Sequence, residues 1–298
     1  MAEIKPNYDT KRKKLAEVIP LAAPFTVYIE QTKYCNFKCF YCIHSTRDEA
    51  GGEFRALGHR EQHMDEAFFK KIIRELKEFP HDGIKRIVFS GLGEPLVNPR
   101  LPEYVRMVVE AGIAGRVEVI TNGLLLTPEK SRALVAAGIT NINISVQGLD
   151  AAGYEETCGI RIDFERYLEN LKYLYEHKGN VQIYIKAIDA TLKTKENEEK
   201  FFEIFSPFAD RIYIEHLVVM QQQMDGLREI VDGTKNFYGE ELDVNRKVCA
   251  QSFYFMQIGC EGDIFPCPVP GLGRNLSMGN AKEHTLTEIW NGSRRRGF

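Results

Sequence analysis

The stretch FTVYIEQTKYCNFKCFYC, residues 25–42, joins two signals: a run of β-branched and aromatic residues, then three cysteines within eight positions. Residues 25–31 read as a first strand, because such side chains fit a pleated, half-buried surface. Cys35, Cys39 and Cys42 follow in a C-x3-C-x2-C spacing. A structural zinc site or a cubane iron–sulfur cluster ordinarily takes four protein ligands. Three thiolates on one short loop leave one iron of a cubane open to an outside ligand. A zinc knuckle completed by a histidine such as His44 is the alternative.

Outward from this stretch, strand-like and helix-like segments alternate. IKRIVFSG (84–91), RVEVITNG (116–123), INISVQG (142–148), VQIYIKAID (181–189) and RIYIEHL (211–217) read as strands. Helical patterns separate them, beginning with MDEAFFKKIIRELKEF, where Phe68, Ile72, Leu76 and Phe79 recur at helical spacing and Asp65 suits the N-cap. The alternation predicts an α/β fold, a partial (β/α)6 TIM-like barrel with a small C-terminal extension that binds an Fe–S cluster. The boundaries expected are a lead-in over 1–24, the barrel over 25–217 and the extension over 218–298. Functional groups of such barrels cluster at the C-terminal strand ends. Glu30, Gln31, Ser90, Glu94, Thr121, Asn122, Ser145, Gln147, Lys186, Asp189, Glu215 and His216 stand there. Strand ends also meet water, so any one of these has a bland explanation.

The net charge of -3 provides no basic field for nucleic acid. No segment approaches the roughly 20 apolar residues of a membrane span. Lys11–Lys14 before LAEVIPLAAPF superficially resembles a secretion signal, but Glu17, Pro20 and Pro24 interrupt it. Seven unevenly clustered cysteines are unlike a secreted disulfide framework, so a cytoplasmic location and metal binding are expected.

The triplet, set directly after a first strand, resembles the signature of the radical S-adenosylmethionine (SAM) family. That resemblance implies a 4Fe–4S cluster on Cys35, Cys39 and Cys42, with SAM on the open iron and a 5′-deoxyadenosyl radical as its product. It also implies an electron donor such as flavodoxin or ferredoxin. SGLGEP (90–95) resembles the family's Gly-Gly-Glu element, in which Gly91 and Gly93 let backbone approach a ligand and Glu94 suits an ammonium. Tyr41 is similar to the residue that lies near the adenine. Asn122 in TNG and Ser145 in ISVQG resemble elements that contact the SAM carboxylate or ribose. Gln147 stands where the family often has Asp.

The tail, CAQSFYFMQIGCEGDIFPC, resembles the opening of the SPASM/twitch extension, which implies one auxiliary cluster, expected to be a second 4Fe–4S centre. Cys260 and Cys267 flank the turn at Gly262 and are the expected anchors, with Cys158 a third ligand or simply a buried apolar residue. Cys249, eleven residues before Cys260 and expected beside the barrel opening, is the expected catalytic thiol, with Cys158 second.

In length, shortened tail and motifs the chain resembles a radical SAM epimerase that inverts a sugar carbon of an aminoglycoside. The resemblance implies a polycationic aminosugar substrate. Glu215, Asp189, Asp225, Glu240, Glu241 and Asp243 are candidate partners for its ammonium groups, although solvated acidic faces are commoner. The alternatives are an aminocyclitol dehydrogenase passing an electron to the auxiliary cluster, an RNA-modifying methylase of the same family, which the net charge disfavours, and a SAM-free electron carrier.

Overall fold

The computed structural model describes residues 2–7, 13–218, 227, 231–243, 245 and 247–296. Ten strands form one sheet: β1 (Glu3–Ile4), β2 (Thr26–Ile29), β3 (Arg86–Phe89), β4 (Arg116–Thr121), β5 (Asn141–Ser145), β6 (Gln182–Ile188), β7 (Arg211–Glu215), β8 (Phe255–Ile258), β9 (Asp263–Phe265) and β10 (Gly279–Asn280). Their order is β1-β7-β6-β5-β4-β3-β2-β8-β9-β10. β2 to β7 are the expected strands, all parallel. Their central residues, among them Ile29, Ile87, Val119, Ile142 and Ile185, are buried against the helices.

The helices are α1 (Glu53–Ala56), α2 (Glu66–Leu76), α3 (Leu101–Glu110), α4 (Pro128–Ala136), α5 (Ala151–Cys158), α6 (Phe164–His177), α7 (Asp189–Leu192), α8 (Lys195–Phe205), α9 (Gln251–Tyr254), α10 (Leu286–Asn291) and α11 (Ser293–Arg296). Their starts are chemically marked. Asp65, Thr127, Asp150, Asp163 and Thr194 each accept a backbone N–H of the following turn. Packing then fixes them: Phe69 of α2 stacks on Tyr104 of α3 with ring centroids 3.9 Å apart. Among the described residues no helix is long and apolar enough to cross a membrane.

Tyr28 on β2 and Glu215 on β7 lie five strands apart in the sheet, about 24 Å if flat at roughly 4.8 Å per strand. Burial pushes the Tyr28 phenol up; Arg86 opposes this, and the charges of Glu118 and Glu215 add to it. In register Tyr28, Arg86, Glu118 and Glu215 share one face of the sheet, and charges bear on one another across it only when near. The sheet is therefore curled, with these polar groups on its inner face.

Two features extend the expected barrel. β1 pairs with β7 in parallel, so the first residues cap one edge of the sheet. At the other edge β8 pairs in parallel with β2, Thr26 opposite Phe255 and Ile29 opposite Ile258, and β9 returns antiparallel. The C-terminal region thus continues the barrel sheet. It is also pinned to the helices, since Glu75 of α2 accepts the Leu286 N–H at 3.1 Å. The indole N–H of fully buried Trp290 donates to the Leu21 carbonyl at 2.9 Å.

Candidate functional site

The cysteine loop leaves β2 at the C-terminal mouth of the barrel and is held from several sides. The Arg47 guanidinium donates to the carbonyls of Cys35 and Phe37, bridging the loop's first turn. The N–H groups of Lys38 and Phe40, on either side of Cys39, donate to the Cys158 and Thr157 carbonyls at the end of α5, each at 3.0 Å. Burial pushes the Cys42 thiol up to about 12 and raises Cys35 as well. The Cys158 contact and burial raise Cys39 too, so a metal bound here would have to displace these protons.

SGLGEP passes directly behind this loop. A Cβ on Gly93 would lie 2.4 Å from the Thr32 carbonyl oxygen, and one on Gly91 would lie 2.6 Å from the Glu30 side chain. The space the glycines leave is filled by the chain's own segment just past β2, Glu30 against Gly91 and Thr32 against Gly93. Their effect is to bring Glu94 beside the cysteine loop. Its carboxylate accepts Leu96 N–H at 2.9 Å, Thr121 O–H at 2.6 Å and Asn122 N–H at 2.7 Å. Three of about four acceptor positions are taken, leaving one and the negative charge. Burial raises its pKa, while these three bonds and Lys130 work against the rise.

Asn122 closes the circuit, its amide donating to Asn36 Oδ1 in the cysteine loop at 2.8 Å. The other amide nitrogen, Asn36 Nδ2, is a buried donor without a partner inside the cysteine loop. On the far side of the loop the Tyr41 hydroxyl donates to Gln147 Oε1, and Gln147 Nε2 donates to the Ser145 carbonyl at 3.2 Å. Tyr41, Glu94, Asn122, Ser145 and Gln147 therefore form one connected mouth around Cys35, Cys39 and Cys42. Soft thiol donors, a buried orphan amide and a lone carboxylate suit an iron–sulfur cluster carrying a zwitterionic ligand.

Among the described residues, no three His, Cys, Asp or Glu side chains are gathered as they would be around a single metal ion. His44, required by the zinc alternative, packs its ring against Phe54 with centroids 4.9 Å apart.

The remaining cysteines are distributed differently from expectation. Cys158 is buried, with its sulfur 3.7 Å from that of Cys39, so it belongs to the mouth. Cys260 sits in the β8–β9 turn and donates to the Glu30 carbonyl at 2.9 Å. Cys267 lies beyond the opposite end of β9, where the charge of Cys249, after burial, helps raise its thiol pKa. The expected grouping of Cys260, Cys267 and Cys158 is replaced by the neighbours Cys249 and Cys267. The reason is the hairpin: Gly262, at φ +96, turns the chain back, so Cys260 and Cys267 stand a strand apart. Cys249 precedes β8, which runs parallel to β2, and so lies toward the N-terminal end of the sheet rather than beside the mouth.

Between the two ends the inner face is polar. Glu118, buried, has Arg116 at 2.6 Å and Arg86 at 3.4 Å as ion pairs without hydrogen-bond geometry, and accepts the Asn143 amide at 2.8 Å. Glu215 accepts Lys186 at 2.6 Å and Tyr184 at 3.1 Å. Most of the acidic groups expected to meet a polycation are thus already engaged. Asp189 faces His216 at 2.5 Å, Glu240 accepts Asn236, and Asp243 accepts the Asn245 N–H. Glu241 takes part in a strand bridge with Lys235, and Asp225 lies outside the described residues. Arg47 and the Cys39–Cys158 contact have no sequence signature.

Comparison with known proteins agrees with this geometry. The profile of the Radical SAM superfamily matches residues 29–206, and that of an iron–sulfur cluster-binding domain, SPASM, matches residues 249–298. The AdoMet-dependent heme synthase of Methanosarcina barkeri is 32% identical, over 90% of this chain and 82% of that protein. The tungsten-containing aldehyde ferredoxin oxidoreductase cofactor-modifying protein of Pyrococcus furiosus is 25% identical, over 91% and 82%. Among solved structures, SuiB of Streptococcus suis matches with a TM-score of 0.65 at 20% identity, over 95% of this chain and 69% of that one. BtrN in complex with AdoMet and 2-DOIA matches with a TM-score of 0.55 at 19% identity, over 92% and 85%. At those identities the likeness is one of fold. The chain belongs to the radical SAM superfamily, an enzyme whose barrel implies a 4Fe–4S cluster with S-adenosylmethionine and whose C-terminal SPASM region implies an auxiliary iron–sulfur cluster.

Proposed function

We propose that the enzyme is an epimerase that inverts one sugar carbon of an aminoglycoside, as in the conversion of neomycin C to neomycin B. The observation that carries this reading is the placement of two sets of thiols at opposite ends of one curled sheet. Cys35, Cys39 and Cys42 follow the C-terminal end of β2, and Cys249 precedes the N-terminal end of β8, its parallel neighbour. Four residues of strand separate those ends, about 13 Å at roughly 3.3 Å per residue. Inversion requires hydrogen removal from one face of a carbon and return to the other.

Bound at the mouth, the cluster and S-adenosylmethionine supply a 5′-deoxyadenosyl radical that removes hydrogen. Glu94 and the orphan amide of Asn36 orient the amino-acid part of SAM, and Tyr41, Ser145 and Gln147 orient the nucleoside. Tyr184, Lys186, Glu215, Asn143 and Glu118 offer a polyhydroxylated aminosugar both donors and acceptors. Cys249 is the exposed thiol among the seven, and it returns a hydrogen atom to the substrate radical from below. An S–H bond is weaker than an aliphatic C–H bond, so the transfer runs downhill. One electron and one proton then restore the thiol, the electron coming from a flavodoxin- or ferredoxin-type donor.

A second reading rests on Cys267, whose pKa is raised by burial and, further, by Cys249. If Cys249 binds the auxiliary cluster, the substrate radical loses an electron and a proton instead, and the enzyme is a dehydrogenase. Solvent deuterium separates the two. Turnover in D2O places one deuterium on the inverted carbon under the first reading, whereas a ketone without deuterium supports the second and removes the first.

A further inference from the structure

Cys158 has no part in the hydrogen return proposed above, and it is not among the thiols the fold assembles at the far end of the sheet. We infer that Cys158 is a positioning residue for the SAM-binding cluster, donating its S–H to the sulfur of Cys39 and raising the reduction potential of that centre. The inference depends on the family's cluster and is independent of the epimerase reading.

The contact is built into the backbone. Cys158 is the last residue of α5, and Gly159 ends the helix in the left-handed region at φ 67. The helix's final two carbonyls, of Thr157 and Cys158, accept the N–H groups of Phe40 and Lys38, which bracket Cys39. Two hydrogen bonds at 3.0 Å therefore clamp Cys39 to the residue whose sulfur it meets at 3.7 Å; with both thiols protonated Cys39 donates to Cys158, and once Cys39 gives up its proton to bind iron the donor has to be Cys158. That separation is far beyond the roughly 2.05 Å of a disulfide and within reach of a sulfur hydrogen bond. Cys158 is only 1% exposed, so water does not compete for the contact.

The chemistry follows from charge. Reduction adds an electron to a cluster whose thiolate sulfurs already carry much of its negative charge. A donor aimed at such a sulfur stabilises the reduced form more than the oxidised form, and hydrogen bonds to sulfur are an established lever on cluster potential. Low local dielectric strengthens the effect. Ligation by Cys158 itself is a different arrangement: thiolates on separate corners of a cubane stand apart, not in contact, and a fourth thiolate would fill the position that SAM needs.

The test compares full-length reconstituted wild type with Cys158→Ala and Cys158→Ser. The SAM-binding cluster is identified by the change in its electron paramagnetic resonance signal when SAM is added, and its midpoint potential is titrated at fixed pH. The expected result is a more negative midpoint in Cys158→Ala, with the SAM-responsive signal kept, and a value nearer wild type in Cys158→Ser, whose hydroxyl still donates. Equal midpoints in wild type and Cys158→Ala overturn the inference. So does tighter SAM binding by Cys158→Ala, which marks Cys158 as a fourth ligand, or loss of the SAM-insensitive signal, which marks it as an auxiliary one. Should Cys158→Ala hold no cluster, Cys158→Ser decides alone: a SAM-responsive cluster with a wild-type midpoint supports the inference, and any other result overturns it.

Discussion

The amide of Asn122, at the end of β4, donates to Asn36 Oδ1 inside the cysteine loop at 2.8 Å, while the Asn122 backbone N–H is held by Glu94 at 2.7 Å. One residue thus couples the metal-binding loop to the Glu94 carboxylate, which is proposed above to orient the amino-acid part of SAM. Replacing it removes a tether without touching a thiol. Asn122→Ala should keep its iron and bind SAM about 5- to 150-fold more weakly, the equivalent of the roughly 1–3 kcal/mol lost when a buried polar group loses its partner. A SAM titration of the cluster signal measures this, and unchanged affinity would show that the tether is idle.

Gly93 gives a steric prediction. The oxygen its Cβ would meet is the Thr32 main-chain carbonyl, which cannot swing aside as a flexible side chain would. Gly93→Ala should fail to retain the cluster or should melt well below wild type. Gly115→Ala, where nothing lies within 4 Å, should be nearly silent. Thermal melts and iron assays on the two variants are sufficient.

Lys33 lies in the seam between barrel and extension, 3.2 Å from Glu261 and 3.9 Å from the buried Glu30. Its removal leaves the buried Glu30 without a cation, while Glu261 keeps Arg274 at 2.8 Å. Lys33→Met should lose about 3 kcal/mol, as expected when one partner of a buried pair is deleted, and Lys33→Met/Glu261→Gln should recover part of that. Urea denaturation of all three proteins checks the coupling; simple additivity of the two changes would deny it.

The fold and the mouth were legible to different depths, and the division follows the range of the interactions. β2 to β7 declare themselves locally through runs such as RIVF and INIS, and the helices through apolar spacing and a capping Asp or Thr. β8 did not, because FMQI sits among cysteines and is fixed by pairing with β2, more than 200 residues away. Until that pairing is known, the direction of β8 is unknown, and Cys249 cannot be assigned to an end of the barrel. Charge is visible in sequence but partnership is not. Glu215 reads as a free carboxylate although Lys186 and Tyr184 occupy it. Cys39 and Cys158 meet only because α5 ends on the cysteine loop.

His216 makes stability depend on pH. Burial lowers its pKa, but the Asp232 carbonyl and the Asp189 carboxylate outweigh that and raise it above the ordinary value. A raised histidine pKa stabilises the fold fully below about 6.5, the unfolded value, and the contribution fades as pH rises through the folded value. The His216 side chain is 12% exposed and its partner Asp189 38%, so solvent screening is partial and the effect should be on the order of 1 kcal/mol. Denaturant melts from pH 5.5 to 9 should show this decline in wild type and a flatter profile in His216→Gln; identical profiles would refute the assignment.

Hydrogen return by Cys249 from the end of the barrel opposite the cysteine triplet is tested most directly by an anaerobic single-turnover assay in D2O, with Cys249→Ala beside wild type and Cys158→Ala. Wild type and Cys158→Ala should both yield inverted product carrying one deuterium. Cys249→Ala should still form 5′-deoxyadenosine but no inverted product. Inversion by Cys249→Ala as efficient as wild type would contradict the assignment.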